Sequence, residues 1–574
     1  MGKRHNAQST VKKRTPGGRS WSIVASGGLA LLVGLFYAVA VWLGDLNQDE
    51  GWYLYAARLV HEGKHPFLDF ASPQGPLMAY AYSVAYPLVQ LAGVLGGRIF
   101  TALLGILTLL LAALLCRRMV LLGAVNDRRS LRAEANTSAL LVAGLLGLNL
   151  YHVYFTSLVK TYGLAGLLTV LGFLGLETAI RSASGVSASG EGVAWRRLGA
   201  FGGGLLAAAC FGMAAATRLS AGILLPAVWL PLAWSWLRNG RCRGGLTILA
   251  GMLAGGTAAL AALYGPFLVH APDVVRFGLL DYHSARQISS PLLLLIYKGG
   301  FLLRVAGFYF PLLVVAALGL AGWRRRDHAD SGHCNVLARS LPRLCGWGLA
   351  GVTLVHLAAP FPYDDYQVFA MPLAVLLSVP PAVSLLFRQG WSPGRRAMAV
   401  AGAMALMMAH SLSSPLLQGW MVSGRDRIWW PLKTATPLQG LRSAAQQVTS
   451  TVAPDSLLLT QDTYLAVEAG LRVPDGMELG PFCFFPDLDD AQARRFHVLN
   501  ANLLRGHIKS GQSAVVACSD WWLAIHAPRI VPVAESTQAL LQQAIAEHYV
   551  PLFEIAKFGQ GETRLRLYRR RETP

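Results

Sequence analysis

Apolar residues in this chain come in blocks of about twenty, separated by short polar gaps, from residue 22 to residue 417. As a helix, a block of that length crosses a hydrocarbon core of ~30 Å. The blocks 22–43, 97–116, 137–156, 159–180, 198–216, 219–237, 245–268, 304–322, 345–360, 367–387 and 397–417 predict about eleven transmembrane helices. A further apolar stretch, 76–94, carries Pro76, Tyr80, Tyr82, Tyr86, Pro87 and Gln90, a mixture suited to the membrane interface. It is expected to lie along the outer surface. From about residue 420 the blocks give way to a soluble pattern, with strands expected at 456–460, 513–517, 552–557 and 563–568 and helices at 438–449 and 537–548. The expected fold is a mostly α, polytopic membrane protein with a small C-terminal α/β extracytoplasmic domain. Its parts are a basic tail (1–20), a membrane domain (21–419) and the outer domain (420–574).

Charge orients this architecture. With 50 basic against 30 acidic residues the net charge is +20, a balance that invites a nucleic-acid reading. The positives do not form one face, however. They sit in the gaps between apolar blocks: Arg117, Arg118, Arg128, Arg129 and Arg132, then Arg196 and Arg197, Arg238, Arg241 and Arg243, Arg324 to Arg326 with Arg339 and Arg343, and Arg388 with Arg395 and Arg396. This is the positive-inside pattern, so the charge reports topology and no nucleic-acid partner. The basic N-terminus followed by the 22–43 block is longer than a cleaved signal core and reads as an uncleaved first span. With that tail cytoplasmic, the loops 45–95, 270–303 and 361–366 and the C-terminal domain fall outside, while 182–192 is a flexible cytoplasmic link. The seven cysteines show no zinc spacing. Cys483 and Cys518 alone fall in the outer domain, as a disulfide in an oxidising compartment or as two buried thiols.

Acids are scarce in the membrane portion, and half of the 30 follow residue 420. None sits mid-span, which leaves a transmembrane proton relay no carboxylate chain. Asp49 and Glu50 stand side by side just past the first span, where two carboxylates suit general-base chemistry or cation binding, a divalent cation included. Capping of the helix that opens at Gly51 is the competing structural role. Asp69 holds the same loop or faces a cavity. Lys160, at the outer start of a span, suits a phosphate contact or a snorkelling interfacial lysine. Arg218 lies between two spans on the outer side, where its planar fork suits a phosphate. Arg276, His283 and Arg286 share one outer loop and suit the same phosphate or pair with Asp273 and Asp281. Tyr363 to Tyr366 caps a helix, and Tyr366 or Gln367 lines a sugar pocket. No Gly-rich loop follows a strand, so nothing indicates a nucleotide-sugar site.

Four segments, Asp49-Glu50-Gly51-Trp52-Tyr53, Gly75-Pro76-Leu77, Ala216-Thr217-Arg218-Leu219-Ser220 and Tyr366-Gln367-Val368-Phe369-Ala370-Met371-Pro372, occur in the order and spacing of the GT-C glycosyltransferases. The chain resembles their protein O-mannosyltransferase and aminoarabinose-transferase group (family 39-like). The resemblance implies transfer of a monosaccharide from a polyprenyl-phosphate donor to a lipid, glycan or protein acceptor, on the periplasmic face of the inner membrane and with inversion. It implies Asp49 as base with Glu50 beside it, and Arg218 and Lys160 at the lipid phosphate. A lysine at 160 stands near where several relatives carry a second acid, a departure from any two-acid or metal-bridged mechanism. An oligosaccharide ligase or polymerase of the same architecture is the first rival. A flippase for a lipid-linked sugar is the second; the lack of internal repeats and broken helix pairs speaks against it.

Overall fold

The computed structural model describes residues 17–122, 128–184, 193–238, 243–284, 290–326, 336–421, 435–527 and 531–571. The tail 1–16, the link 185–192 and Arg286 lie outside the described residues.

Eight helices among the described residues are long and apolar enough to cross a membrane: Ala25–Leu43, Val94–Leu122, Thr161–Ala183, Val193–Thr217, Leu219–Arg238, Gly244–His270, Pro291–Phe308 and Asp364–Arg388. Seven coincide with expected spans. The eighth, Pro291–Phe308, falls where a loop was expected. Ser290 caps it, its side chain accepting from Leu293 N, and it stops at Tyr309, where the next helix, Phe310–Arg326, begins. The expected span 304–322 therefore straddles a break. So does 137–156: the helix Arg128–Gly147 ends, and Asn149 caps a separate short helix, Leu150–Phe155, by accepting from His152 N. Asparagine favours such a local bond over helix continuation.

The interfacial stretch forms two short helices, Leu77–Val84 and Tyr86–Ala92. Each is far below the length that spans a bilayer. They pack on an earlier helix, Gln48–His61, which follows the first span after a brief turn.

The C-terminal part is built on a four-stranded sheet, β1 (Leu457–Thr460), β2 (Ser513–Ser519), β3 (Tyr549–Phe558) and β4 (Thr563–Arg570), in the order β1-β2-β4-β3. β1 and β2 are parallel and the other pairs antiparallel. Helices Pro437–Thr449 and Glu535–His548 complete it where the sequence placed them. Cys483 and Cys518 are free and buried, so the disulfide alternative does not hold.

One packing feature positions the site. Leu54, Tyr55, Ala57 and Leu59 of helix Gln48–His61 share a hydrophobic core with Leu458, Tyr464, Leu465, Ala517 and Leu567 of the sheet region. The helix is thus packed against the C-terminal part. Gly51 makes this approach possible, because a Cβ there would collide with the Thr463-Tyr464 backbone.

Candidate active site

The site begins at the N-terminus of Gln48–His61. Asn47 is in extended conformation and its side chain accepts from the Asp49 N–H at 3.0 Å, while Glu50 Oε2 accepts from Asn47 N at 3.1 Å. This reciprocal box satisfies backbone donors that a helix start leaves free. It sends the two acids in opposite directions.

Glu50 points into the protein. Its side chain is fully buried against Arg98, with bonds of 2.7 Å from Nε and 2.6 Å from Nη2. Arg98 also donates to the carbonyls of Val41, Gly44 and Asp45. The pair stitches the end of the first span to the acidic loop. This corrects the expectation that Glu50 joins the chemistry: no bulk-exposed atom of it remains to meet a substrate.

Asp49 points the other way, with 30% of its side chain exposed. Trp52 Nε1 donates to one oxygen at 3.2 Å, and Lys160 Nζ stands 3.3 Å from the other. Lys160 is N-cap to Thr161–Ala183, and its ammonium is also 2.9 Å from Asp365 Oδ2. Tyr162 OH donates to that same oxygen at 2.8 Å. The ammonium therefore sits between two carboxylates. Among the described residues no three His, Cys, Asp or Glu side chains gather as metal ligands would.

Arg218 terminates Val193–Thr217 and leads into the 3-10 turn Leu219–Ile223. Its guanidinium lies over the rings of Tyr162 (4.9 Å) and Tyr366 (4.2 Å), and Nη1 donates to Thr161 Oγ1 at 3.2 Å. The stack holds a buried cation without neutralising it: Nε has no hydrogen-bond partner among the described residues. A buried donor left open costs free energy unless a ligand or water meets it. Burial, assisted by the Asp49 charge, pushes the Tyr53 hydroxyl well above its ordinary value, so this neighbour remains a neutral phenol.

These groups line one cavity of about 170 Å3. Its wall includes Asp49, Lys160, Arg218, Tyr366 and His283, and the C-terminal part contributes Phe482, Trp521 and Gln560. Three residues named from sequence stand elsewhere. Asp69 is exposed and accepts from His65 N at 2.7 Å, which closes its own turn. Arg276 is exposed and pairs with Asp281 at 3.5 Å. Gln367 is buried beside Tyr366, off the cavity wall. Arg286 is outside the described residues. His283 lines the cavity while its Nε2 reaches the Pro73 carbonyl at 2.8 Å, so it braces the Pro73-Gln74 turn.

Asp365 and the outer-domain residues are what the sequence reading missed. Asp365 appears in sequence as half of a helix-capping pair, yet it makes no cap. Asp364 turns to Arg304 at 2.7 Å and Asp365 turns to Lys160. Two adjacent acids beside a tyrosine at an outer face were the available signal.

A helical part and a C-terminal α/β part together enclose a carboxylate and two buried cations, and the fold is similar to that of the GT-C type. Among solved structures the chain is similar to ArnT, an aminoarabinose transferase, from Cupriavidus metallidurans. The form bound to undecaprenyl phosphate matches at a TM-score of 0.58 and 13% identity, over 96% of this chain and 98% of that one. The apo form matches at 0.58 and 14% with the same coverage. An oligosaccharyltransferase from Archaeoglobus fulgidus aligns at 0.44 and 12%, over 92% of this chain and 73% of that one. No family model and no curated protein matches the sequence.

Proposed function

We propose that this protein is an integral-membrane glycosyltransferase that moves a monosaccharide from a polyprenyl-phosphate carrier to a lipid, glycan or protein acceptor, at the periplasmic face of the inner membrane. The basic tail is cytoplasmic and the 420–574 domain periplasmic in this reading. The observation that carries it is the juxtaposition of a part-exposed carboxylate, Asp49, with a stacked, unneutralised guanidinium, Arg218, on one cavity wall. The undecaprenyl phosphate held by ArnT supports the carrier class.

The acceptor hydroxyl oxygen forms a bond to the anomeric carbon as the bond from that carbon to the phosphate oxygen breaks. The electron pair leaves with the polyprenyl phosphate, which gains one negative charge. Asp49 takes the hydroxyl proton, and such base assistance contributes about 10²–10⁴-fold. Arg218 and Lys160 meet the growing phosphate charge as cations already fixed in place. Direct displacement inverts the anomeric centre.

The test is transfer from radiolabelled polyprenyl-phosphate sugars in membranes with native acceptors, wild type beside Asp49→Asn. Loss of at least about 100-fold in turnover with donor binding retained is expected. Equal turnover by both removes Asp49 as base, and no transfer from any donor by folded wild type removes the glycosyltransferase reading.

A further inference from the structure

The helix that carries Asp49 is not capped by its own neighbourhood alone. Asn47 serves the next donors of the first turn, but the N–H of Gln48, the first residue of the helix, is taken by an acceptor 512 positions away. Gln560 Oε1 accepts it at 2.8 Å. The side chain of Gln48 then reaches back: Nε2 donates to Asp462 Oδ1 and to Tyr464 OH, each at 3.1 Å. Tyr464 OH donates to the same Asp462 oxygen at 3.1 Å. Gln48, Asp462, Tyr464 and Gln560 are all at least nine-tenths buried. Asp462 accepts from three side chains, since Ser519 also bonds to it, and burial raises its pKa.

We propose that the outer domain positions the catalytic base: Gln560 caps the Asp49 helix from outside the membrane domain, and the Asp462–Tyr464 pair locks Gln48, the residue next to Asp49. This inference rests on the glycosyltransferase reading for its kinetic consequence, though not for its structural one. A free N–H at a helix start is normally met by a local side chain or by water. Here it is met by a side chain from the turn before β4, so undocking that turn exposes the first turn of the helix. Asp49 lies in that first turn, 3.3 Å from Lys160. Loosening it moves the carboxylate relative to the cavity wall, where a displacement of about 1 Å costs on the order of 100-fold in rate. The outer domain is then a positioning element, and Gln560 a positioning residue that touches no reacting atom. Its place on the cavity wall follows from its reach to Gln48.

The experiment compares Gln560→Leu, of similar volume without an acceptor, with Gln560→Glu, which keeps an acceptor at the same reach. Two readouts are taken on full-length protein in lipid nanodiscs: amide hydrogen exchange over residues 48–51, and steady-state transfer. Gln560→Leu should lose protection at the Gln48 amide and lower kcat about ten- to 100-fold with donor affinity unchanged, and Gln560→Glu should restore both. Tyr464→Phe, which removes one of two acceptors for Gln48 Nε2, should give an intermediate loss of protection and serves if Gln560→Leu fails to fold. Unchanged protection in Gln560→Leu overturns the proposed cap. Lost protection with unchanged kcat overturns the positioning role, as does equal impairment of Leu and Glu variants. If wild type transfers no sugar, the glycosyltransferase reading fails while the exchange data still decide whether the outer domain caps this helix.

Discussion

Arg98→Met is the perturbation that most sharply separates the two adjacent acids. Arg98 is fully buried and makes five hydrogen bonds, two to Glu50 and one each to the carbonyls of Val41, Gly44 and Asp45. Methionine fills a similar volume and supplies no donor. Removing one partner of a buried pair strands the other charge, at a cost of about 3–5 kcal/mol. Three carbonyls lose their donor as well, at about 1 kcal/mol each where no water replaces it. These contributions overlap, so about 4–6 kcal/mol is expected for the single variant. That approaches the whole margin of ~5–15 kcal/mol typical of folded proteins.

The double variant Arg98→Met with Glu50→Met removes both charges, and an apolar replacement of a buried pair is often near neutral. Only the carbonyl losses should persist, about 2–3 kcal/mol; with Glu50→Met alone stranding the Arg98 charge at about 3–5 kcal/mol, a double-mutant cycle should return a coupling of about 4–9 kcal/mol. Equilibrium unfolding in mixed micelles with rising detergent denaturant, followed by tryptophan fluorescence, measures all four corners. A single variant within about 1 kcal/mol of wild type, or a double variant no better than the single, refutes the assignment of Glu50 to structure. The chemistry offers a second check. Glu50→Gln should lower stability and leave turnover per folded molecule near wild type, the reverse of Asp49→Asn.

Two further outcomes follow from the geometry. Arg218→Lys keeps the charge but loses the stack between Tyr162 and Tyr366 and the planar fork; binding of polyprenyl phosphate, read by titration in nanodiscs, should weaken about ten-fold, and equal binding would remove the guanidinium from phosphate recognition. Glu478 is buried in the outer domain, and desolvation lifts its pKa from 4.5 to about 8. Folded protein therefore holds this proton where unfolded chain has lost it, so stability is fully present below the unfolded pKa and falls as pH rises from about 4.5 to 8, with a ceiling of about 5 kcal/mol. Glu478→Gln should flatten the thermal midpoint over that range; an unchanged slope would show the carboxyl to be solvated.

In the outer domain, expected strands at 456–460, 513–517, 552–557 and 563–568 correspond to β1–β4 because alternation over a half-buried sheet is a local signal. The membrane helices were legible for a similar reason, since apolar length is set by bilayer thickness. Breaks were harder. Tyr309 and Asn149 interrupt apolar runs through contacts and caps that a hydropathy window averages away.

Apolar blocks along the chain were enough to read a polytopic helical protein with a C-terminal α/β part, and Asp49, Lys160 and Arg218 stood out as chemically unusual where they stand. Which of the two adjacent acids opens to the cavity is settled by long-range packing, because the capping box and Arg98 turn Glu50 inward and leave Asp49 outward. It alone placed Asp365 on Lys160 across 205 residues and Gln560 on Gln48 across 512. Such partners meet through folding and leave no periodicity in the chain, whereas helix length and charge alternation are properties of neighbours along it.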